Sequence, residues 1–402
     1  MNTNPKIANS IPLAAFCLLS ATTVDVHAQS ANPDQDSALD TSSFSSDWSG
    51  TTPLPDADLV LNPMQNISKG WPEDLIIAPI PGRSPQLGWS LSLVGGYFMD
   101  LDKDSEDSKP SVIGVAGMIS ENDSHFYGAG AYLHLLDDKL RVKAGIGYAD
   151  VKYRFYGVGD ILNDQGIFLE LQQKMPLQFV SVTWRVWNRL YAGLGFLNGN
   201  VETGFDIQQG DPGGFGDFTF DLDVAAIEFP LQFDSRDHEQ FPRQGWLVNG
   251  RALLYRTDVG SDFNAEIFSL TINNYWPMRD RDVLALRLKI KTASGNTPFF
   301  LMPTFGGSTD LRGYEGGRYR DQMMYAAQAE YRWQYSDRWI FTGFAGVGEV
   351  APNFKGFLDN YLPAVGVGAR FVLSKKHRVG LSLDIARGNE DTQYYFGIGE
   401  AF

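Results

Sequence analysis

The chain has 402 residues, and its 48 acidic against 33 basic side chains give a formal charge of −15. That balance excludes nucleic acid as a partner, because no basic stripe is available to neutralise phosphates. Mean hydropathy is −0.21, and beyond the N-terminus no run approaches the ~18 apolar residues of a spanning helix, so a helical membrane protein is excluded too.

Residues 1–28 read as a cleaved signal peptide. Lys6 supplies the positive start, Ile11 to Ser20 the apolar core, and Val26-His27-Ala28 a small residue before a cut ahead of Gln29. Cys17, the single cysteine, leaves with it, so the mature chain relies on no disulfide. Residues 29–72 are rich in Ser, Pro and Asp, with Asp34, Asp36, Asp40, Asp47, Asp56 and Asp58 against Lys69 alone. Such a stretch buries too little apolar surface to fold and reads as a disordered acidic segment.

From Glu73 to Phe402 the chain alternates. Strands are expected near 74–81, 88–100, 111–119, 125–136, 139–157, 167–186, 189–203, 220–235, 245–257, 263–276, 282–292, 298–305, 323–334, 338–348, 362–373, 379–387 and 393–402. The piece 298–305 is taken as the continuation of 282–292 beyond a bend, which leaves sixteen. About twenty residues per strand and connection is enough for the ~9–11 residues of a transmembrane β crossing. Leu284, Leu286, Leu288 and Ile290 share one face, while Ala285, Arg287, Lys289 and Lys291 share the other. In 326–333, Gln328, Glu330 and Arg332 oppose Ala327, Ala329, Tyr331 and Trp333. Period-two alternation would equally suit a soluble sandwich. Aromatic pairs at the short turns decide against it: Trp187 and Tyr191, Tyr275 and Trp276, Trp333 and Trp339. Rings placed at every short turn form a belt at one membrane–water boundary. The expected fold is an all-β, 16-stranded antiparallel transmembrane barrel, residues 73–402 forming its single domain.

Two motifs carry a resemblance. Gly306-Gly307-Ser308-Thr309-Asp310-Leu311-Arg312-Gly313-Tyr314, followed by the strand holding Glu330, resembles the sixth-loop motif of the bacterial surface antigen (BamA/TamA) barrel superfamily. Asp234-Ser235-Arg236-Asp237 with Phe241-Pro242-Arg243-Gln244-Gly245 resembles that family's turn between the eighth and ninth strands, where the strand count also puts it. The resemblance implies a sixth extracellular loop inserted in the lumen and locked by Arg312, Gly313 and Tyr314 against Glu330. It also implies a periplasmic turn built on Asp234, Arg236, Asp237, Pro242 and Gly245. The final strand, ending in Phe402, looks like the signal read by the outer-membrane assembly machinery. The implied activity is insertion or translocation of polypeptides or lipids in the bacterial outer membrane.

Two departures stand out. The 44 residues from Gln29 to Pro72 fall short of the ~55 that one periplasmic transport-associated domain requires, so this periplasmic segment is expected to bind a separate partner protein. The family's second lumen acid is expected where Phe344-Ala345-Gly346-Val347-Gly348 has glycine. Either Asp384 substitutes or the arginine has one carboxylate partner, and the single partner is favoured.

Pro79 and Pro81, at i and i+2, either leave one edge of the first strand short of two donors or precede the ordered strand. If that edge faces the last strand, with Gly397, Gly399 and Phe402, the closing seam is under-bonded. Asp100, Asp102 and Asp104 fail the EF-hand pattern, having Ser105 and Ser111 where glycine and glutamate are required. No histidine has metal-ligand spacing or sits beside a serine in a nucleophile-elbow context. No metal, cofactor or catalytic residue is therefore expected, and the partners are outer-membrane lipids and a polypeptide client. Two rival readings remain: a passive pore lined by Arg287, Lys289 and Lys291, and an outer-membrane lipid hydrolase.

Overall fold

The computed structural model describes residues 74–84, 87–101, 110–159, 168–206, 218–238, 241–307, 310–356, 360–374, 379–389, 392–398 and 400–402. The expected signal peptide 1–28, the acidic stretch 29–72, Asp102, Asp104 and Gly399 lie outside them. The strands are β1 (Leu75–Ser84), β2 (Gly88–Met99), β3 (Ser111–Ser120), β4 (His125–Leu135), β5 (Leu140–Phe155), β6 (Leu169–Trp187), β7 (Leu190–Asp206), β8 (Phe218–Asp234) and β9 (Gly245–Tyr255). They continue with β10 (Ala265–Pro277), β11 (Val283–Gly295), the two-residue pieces β12 (Thr304–Phe305) and β13 (Tyr319–Arg320), β14 (Met323–Gln334), β15 (Trp339–Ala351), β16 (Leu362–Ser374), β17 (Val379–Arg387) and β18 (Thr392–Ile398).

Sixteen of these form one sheet in chain order, all neighbours antiparallel, while β12 pairs only with β13. The sheet curls into a nearly closed barrel. Its outer face carries large exposed apolar side chains, among them Leu93, Val115, Ile146, Leu194, Val367 and Phe396, as lipid contact demands. Trp187, Trp276, Trp333 and Trp339 are exposed beside the short turns, forming an aromatic rim at the turn end. No helix among the described residues is long and apolar enough to cross a membrane.

Residues 298–305 do not extend β11, contrary to the sequence expectation. The chain leaves the sheet after Gly295, Pro298 opens a single 3₁₀ turn at Phe299–Leu301, and Thr304–Phe305 pairs with Tyr319–Arg320 inside the loop. Its alternation is that of a loop packed against the interior, not of a strand.

The seam lies between β1 and β18, whose described residues share no ladder. Asp74 O accepts from Phe98 N at 2.9 Å, and the β1–β2 register, with Leu75 opposite Tyr97, runs on into that pair. Backbone groups alternate sides along an antiparallel strand. The even residues therefore face β2, and the nitrogens of Pro79 and Pro81 face the seam. Both prolines lie inside β1 rather than before it. Gly397 sits in β18, opposite Ser382. Phe402 departs from the expectation of a final strand: β18 ends at Ile398, and Phe402 turns inward against Tyr275, Val283 and Ala285.

Candidate functional site

The site is built by the loop between β11 and β14. Asp310 organises its turn, its Oδ1 accepting the N–H groups of Gly306 (3.1 Å), Gly307 (2.7 Å) and Leu311 (2.7 Å), while Oδ2 meets Lys289 Nζ at 3.3 Å. Leu311 is fully buried over the bare backbone of β15. A Cβ added to Gly346 would stand 2.9 Å from Leu311 Cδ1, and one on Gly348 2.9 Å from Cδ2. The absence of an aspartate in this stretch of β15 thus has a steric reason: the loop's leucine occupies the space.

Arg312 follows, fully buried. Its Nη2 meets Glu330 Oε2 and its Nη1 meets Asp384 Oδ2, both at 2.7 Å. Its Nε donates to Gln328 Oε1 at 3.3 Å, and the guanidinium lies 3.4 Å from the Phe344 ring centroid. The favoured single carboxylate partner is therefore corrected to two. Asp384 reaches the arginine from β17, and Gly368 on the intervening β16 leaves room: a Cβ there would fall 1.8 Å from Asp384 Oδ1.

Gly313 has φ +115°, and a Cβ would lie 2.9 Å from the backbone of Arg387 and Gly388. Only glycine accommodates both that angle and that approach. Its N–H donates to Tyr395 Oη at 2.7 Å and its carbonyl accepts from Gly388 N at 3.1 Å. Tyr314 Oη donates to Pro363 O at 2.5 Å, and its ring packs with Phe305 and Tyr319.

Around the loop arginine the ion pairs continue. Arg332 Nε meets Glu330 Oε1 at 2.8 Å, Arg370 bonds Asp384, and Arg370 Nε meets Glu400 Oε2 at 3.1 Å. Arg332 also donates to the carbonyl of Phe402, and Arg287 to that of Ala401 at 3.3 Å. The guanidiniums of Arg312, Arg332 and Arg370 thus face the carboxylates of Glu330, Asp384 and Glu400, and pairing of this kind offsets the cost of burying charge. Arg370, Glu400 and Tyr395 were missed by sequence reasoning. Arg370 meets Asp384 on the adjacent strand and could be flagged by its inward phase, whereas Glu400 lies beyond the end of β18 and meets Arg370 and Arg332 from outside the ladder.

The β8–β9 turn is a second constellation. Asp234 holds Arg236 through side-chain contacts of 3.0 and 2.9 Å. Asp237 Oδ1 accepts the N–H groups of Arg243 (2.9 Å) and Gln244 (3.3 Å), and Pro242 is buried. Gly245 has φ +107°, and a Cβ would fall 2.4 Å from Ser235 O. A third, unforeseen, spans the β4–β5 turn. Asp138 accepts from Arg141 at 2.6 and 2.7 Å, from Tyr191 Oη at 2.9 Å, and lies 2.7 Å from His134 Nδ1. Burial alone would raise the Asp138 carboxyl, but hydrogen bonds from Arg141 and His134 reverse this and hold it well below the usual range. Ser111 Oγ engages the His134 backbone, not its ring, so the group braces the turn. Among the described residues no cluster could hold a metal ion.

The Omp85 superfamily domain matches residues 177–402, more than half of the chain. The chain belongs to the Omp85 superfamily. It is an integral outer-membrane β-barrel of that type. The fold is similar to BamA from Haemophilus ducreyi lacking POTRA domains 1–3, at 14% identity and TM-score 0.55, covering 81% of this chain and 70% of that one. It is also similar to CdiB from Acinetobacter baumannii (10% identity, TM-score 0.52) and CdiB from Escherichia coli (10%, 0.53). Each CdiB match covers 81% of this chain but only 59% and 62% of those chains. At such identities the likeness is one of fold. No curated protein matches the sequence.

Proposed function

We propose that this Omp85 barrel inserts or translocates polypeptides at the outer membrane, receiving them through a separate periplasmic partner that binds the acidic segment 29–72. In this reading residues 1–28 are a cleaved signal, the short turns face the periplasm, and the loop between β11 and β14 is the sixth extracellular loop. Arg312, with Gly313 and Tyr314, locks that loop to Glu330 and Asp384. The observation that carries the reading is the combination of a lumen arginine held by two carboxylates with a seam at which Pro79 and Pro81 offer β18 no N–H. A wall pinned from within and weakly bonded at one edge can admit a chain laterally without dispersing.

The pore reading draws less support. Arg287 and Lys289, which would line an open path, contact instead the C-terminal residues and Asp310 of the loop. The test is to reconstitute the purified protein in vesicles, add a urea-unfolded small outer-membrane barrel, and follow its folding by the gel mobility of unheated samples. Acceleration over empty vesicles, lost in Arg312→Ala, is the expected result. Equal rates with and without the protein, together with a large steady conductance in planar bilayers, would replace the proposal with the pore.

A further inference from the structure

The lipid-facing wall turns polar early on β6 and β7. Ile146, Val180, Leu194 and Phe196 are exposed on the outer face, and residues of the same parity share that face. The next outward pair toward the loop end, beyond Val180 and Phe196, is Gln178 and Asn198, in register across the two strands. Gln178 is exposed, and its Nε2 donates to Asn198 Oδ1 at 3.3 Å. On β5 the residue in register with Gln178 is still Ile146, so the two amides form a polar notch beside apolar wall. One step further out, the rings of Tyr127 and Tyr148 stack with centroids 5.4 Å apart, and His125 lies 6.5 and 6.0 Å from them. Beyond the rings comes a row in register on five strands: His125, Asp150, Lys174, Glu202 and Asp221. At ~4.8 Å between strands it is roughly 19 Å long.

An aromatic girdle accounts for the tyrosines, but not for amides on the membrane side of them. Acyl chains offer nothing to hydrogen-bond with, so this face calls for a polar occupant. The charges select it. The row carries one lysine against three carboxylates, and Lys174 Nζ meets Glu202 Oε1 at 2.9 Å. Lys152, further out, lies 3.5 Å from Asp123. A bare phosphate is therefore repelled. Sugar hydroxyls donate to carboxylate and amide oxygens and accept from ammonium and amide N–H, and the C–H face of a sugar ring suits the negative face of an aromatic ring. We propose that the outer face of β4–β8 at the loop end binds the saccharide head of a membrane glycolipid. Its hydroxyls meet Asp150, Lys174 and Glu202, a sugar ring covers Tyr127 and Tyr148, and the polar linkage to the acyl chains enters the Gln178–Asn198 notch. The loop end is extracellular in the reading above, and the glycolipid of that leaflet is lipopolysaccharide. The inference rests on that orientation, not on the polypeptide-handling role.

The test is native mass spectrometry of the full-length protein released from mixed micelles. Three probes are compared: lipopolysaccharide truncated to its innermost sugars, a neutral diglucosyl diacylglycerol, and phosphatidylglycerol. One retained molecule of either glycolipid is expected, with phosphatidylglycerol retained at least tenfold less. The double variant Gln178→Leu with Asn198→Leu makes the wall more apolar and should fold, as gel mobility of unheated samples reports. It should lose at least tenfold in glycolipid retention, and Tyr127→Ala should lose as much. Equal retention of phosphatidylglycerol, unchanged retention in the folded double variant, or a dimer of the chain that the double variant dissolves would overturn the assignment. In whole cells, Asp123→Cys in the β3–β4 turn should react with a membrane-impermeant maleimide. No reaction in cells whose lysates do react would put the face in the other leaflet and overturn lipopolysaccharide as its ligand. Retention that fails while client folding proceeds overturns this surface and leaves the proposed function standing.

Discussion

The two walls of the barrel interior differ in kind. Along β5 to β10, toward the loop end, the inward face is apolar: Val151, Tyr153, Leu171, Val201, Val224, Tyr255 and Ile267 are buried in one cluster against Phe299, Phe300 and Leu301 of the β11–β14 loop. Along β14 to β17 it is ionic, with Arg312, Arg332 and Arg370 meeting Glu330, Asp384 and Glu400. The same loop touches both walls, first with its phenylalanines and then with its arginine. Apolar burial is non-directional and tolerates small shifts. A buried ionic network is favourable only when every member is satisfied, so it specifies one position. The loop thus has an adaptable foot and a position-defining foot, and the second determines where the motif lies.

The largest expected effect breaks the ionic foot. Arg312→Ala leaves Glu330 buried with Arg332 and Arg370, and Asp384 with Arg370, and should cost about 3 kcal/mol, the lower end for breaking a buried pair. Hydrogen exchange should show residues 310–320 losing protection while the amides of β5 and β7 keep theirs. Loss of protection on both walls together would mean that they are one cooperative unit. Next comes Gly313→Ala. A side chain at φ +115°, meeting the Arg387 and Gly388 backbone, should cost about 1–3 kcal/mol, and should displace Tyr395 and Tyr314 without altering any charge. A loss in exchange protection smaller than that of Arg312→Ala but confined to the same residues is the expected pattern.

How much of this could be read from the sequence follows from what alternation encodes. The sixteen wall strands were legible because lipid outside and a different medium inside impose period two. Glu330 and Asp384 were legible as inward residues for the same reason, and Arg312 through its motif. Pairing across the lumen was not, because Arg370 and Glu400 meet only once the sheet curls. The apolar wall was missed as well, since an inward valine such as Val201 looks like an irregularity in a polar row. Phe402 was expected to end the final strand, yet that strand ends at Ile398. The chain then turns in, where Arg287 lies 4.6 Å from the Phe402 ring centroid. Period two holds only while the chain stays in the sheet.

Removing the adaptable foot should matter less than removing the arginine. Phe299 is half-buried, 4.7 Å from the Phe155 ring centroid and 5.6 Å from that of Phe300. Phe299→Ala should cost roughly 1–2 kcal/mol, below the ~3–5 of a fully buried phenylalanine. Exchange should rise at 298–302 and in the facing part of β5, with Arg312 and its partners undisturbed. If residues 310–314 loosened equally, the apolar wall would be defining position after all, and the comparison would reverse.

The smallest effect concerns the turn end of the apolar side, where Asp138 stands among Arg141, His134 and Tyr191. Its carboxyl is held below the ordinary value of about 4. A group depressed on folding contributes stability that is complete above its unfolded value and is lost as pH falls through the lower folded value. Asp138→Asn keeps the shape and one acceptor, so its cost at pH 7 should be about 1 kcal/mol. In urea titrations of the detergent-solubilised barrel, the gap between parent and variant should be widest at neutral pH and narrow as pH falls below 4. A gap that widens on acidification would show that Asp138 is bound as a neutral acid, and the turn would then be held by packing rather than by charge.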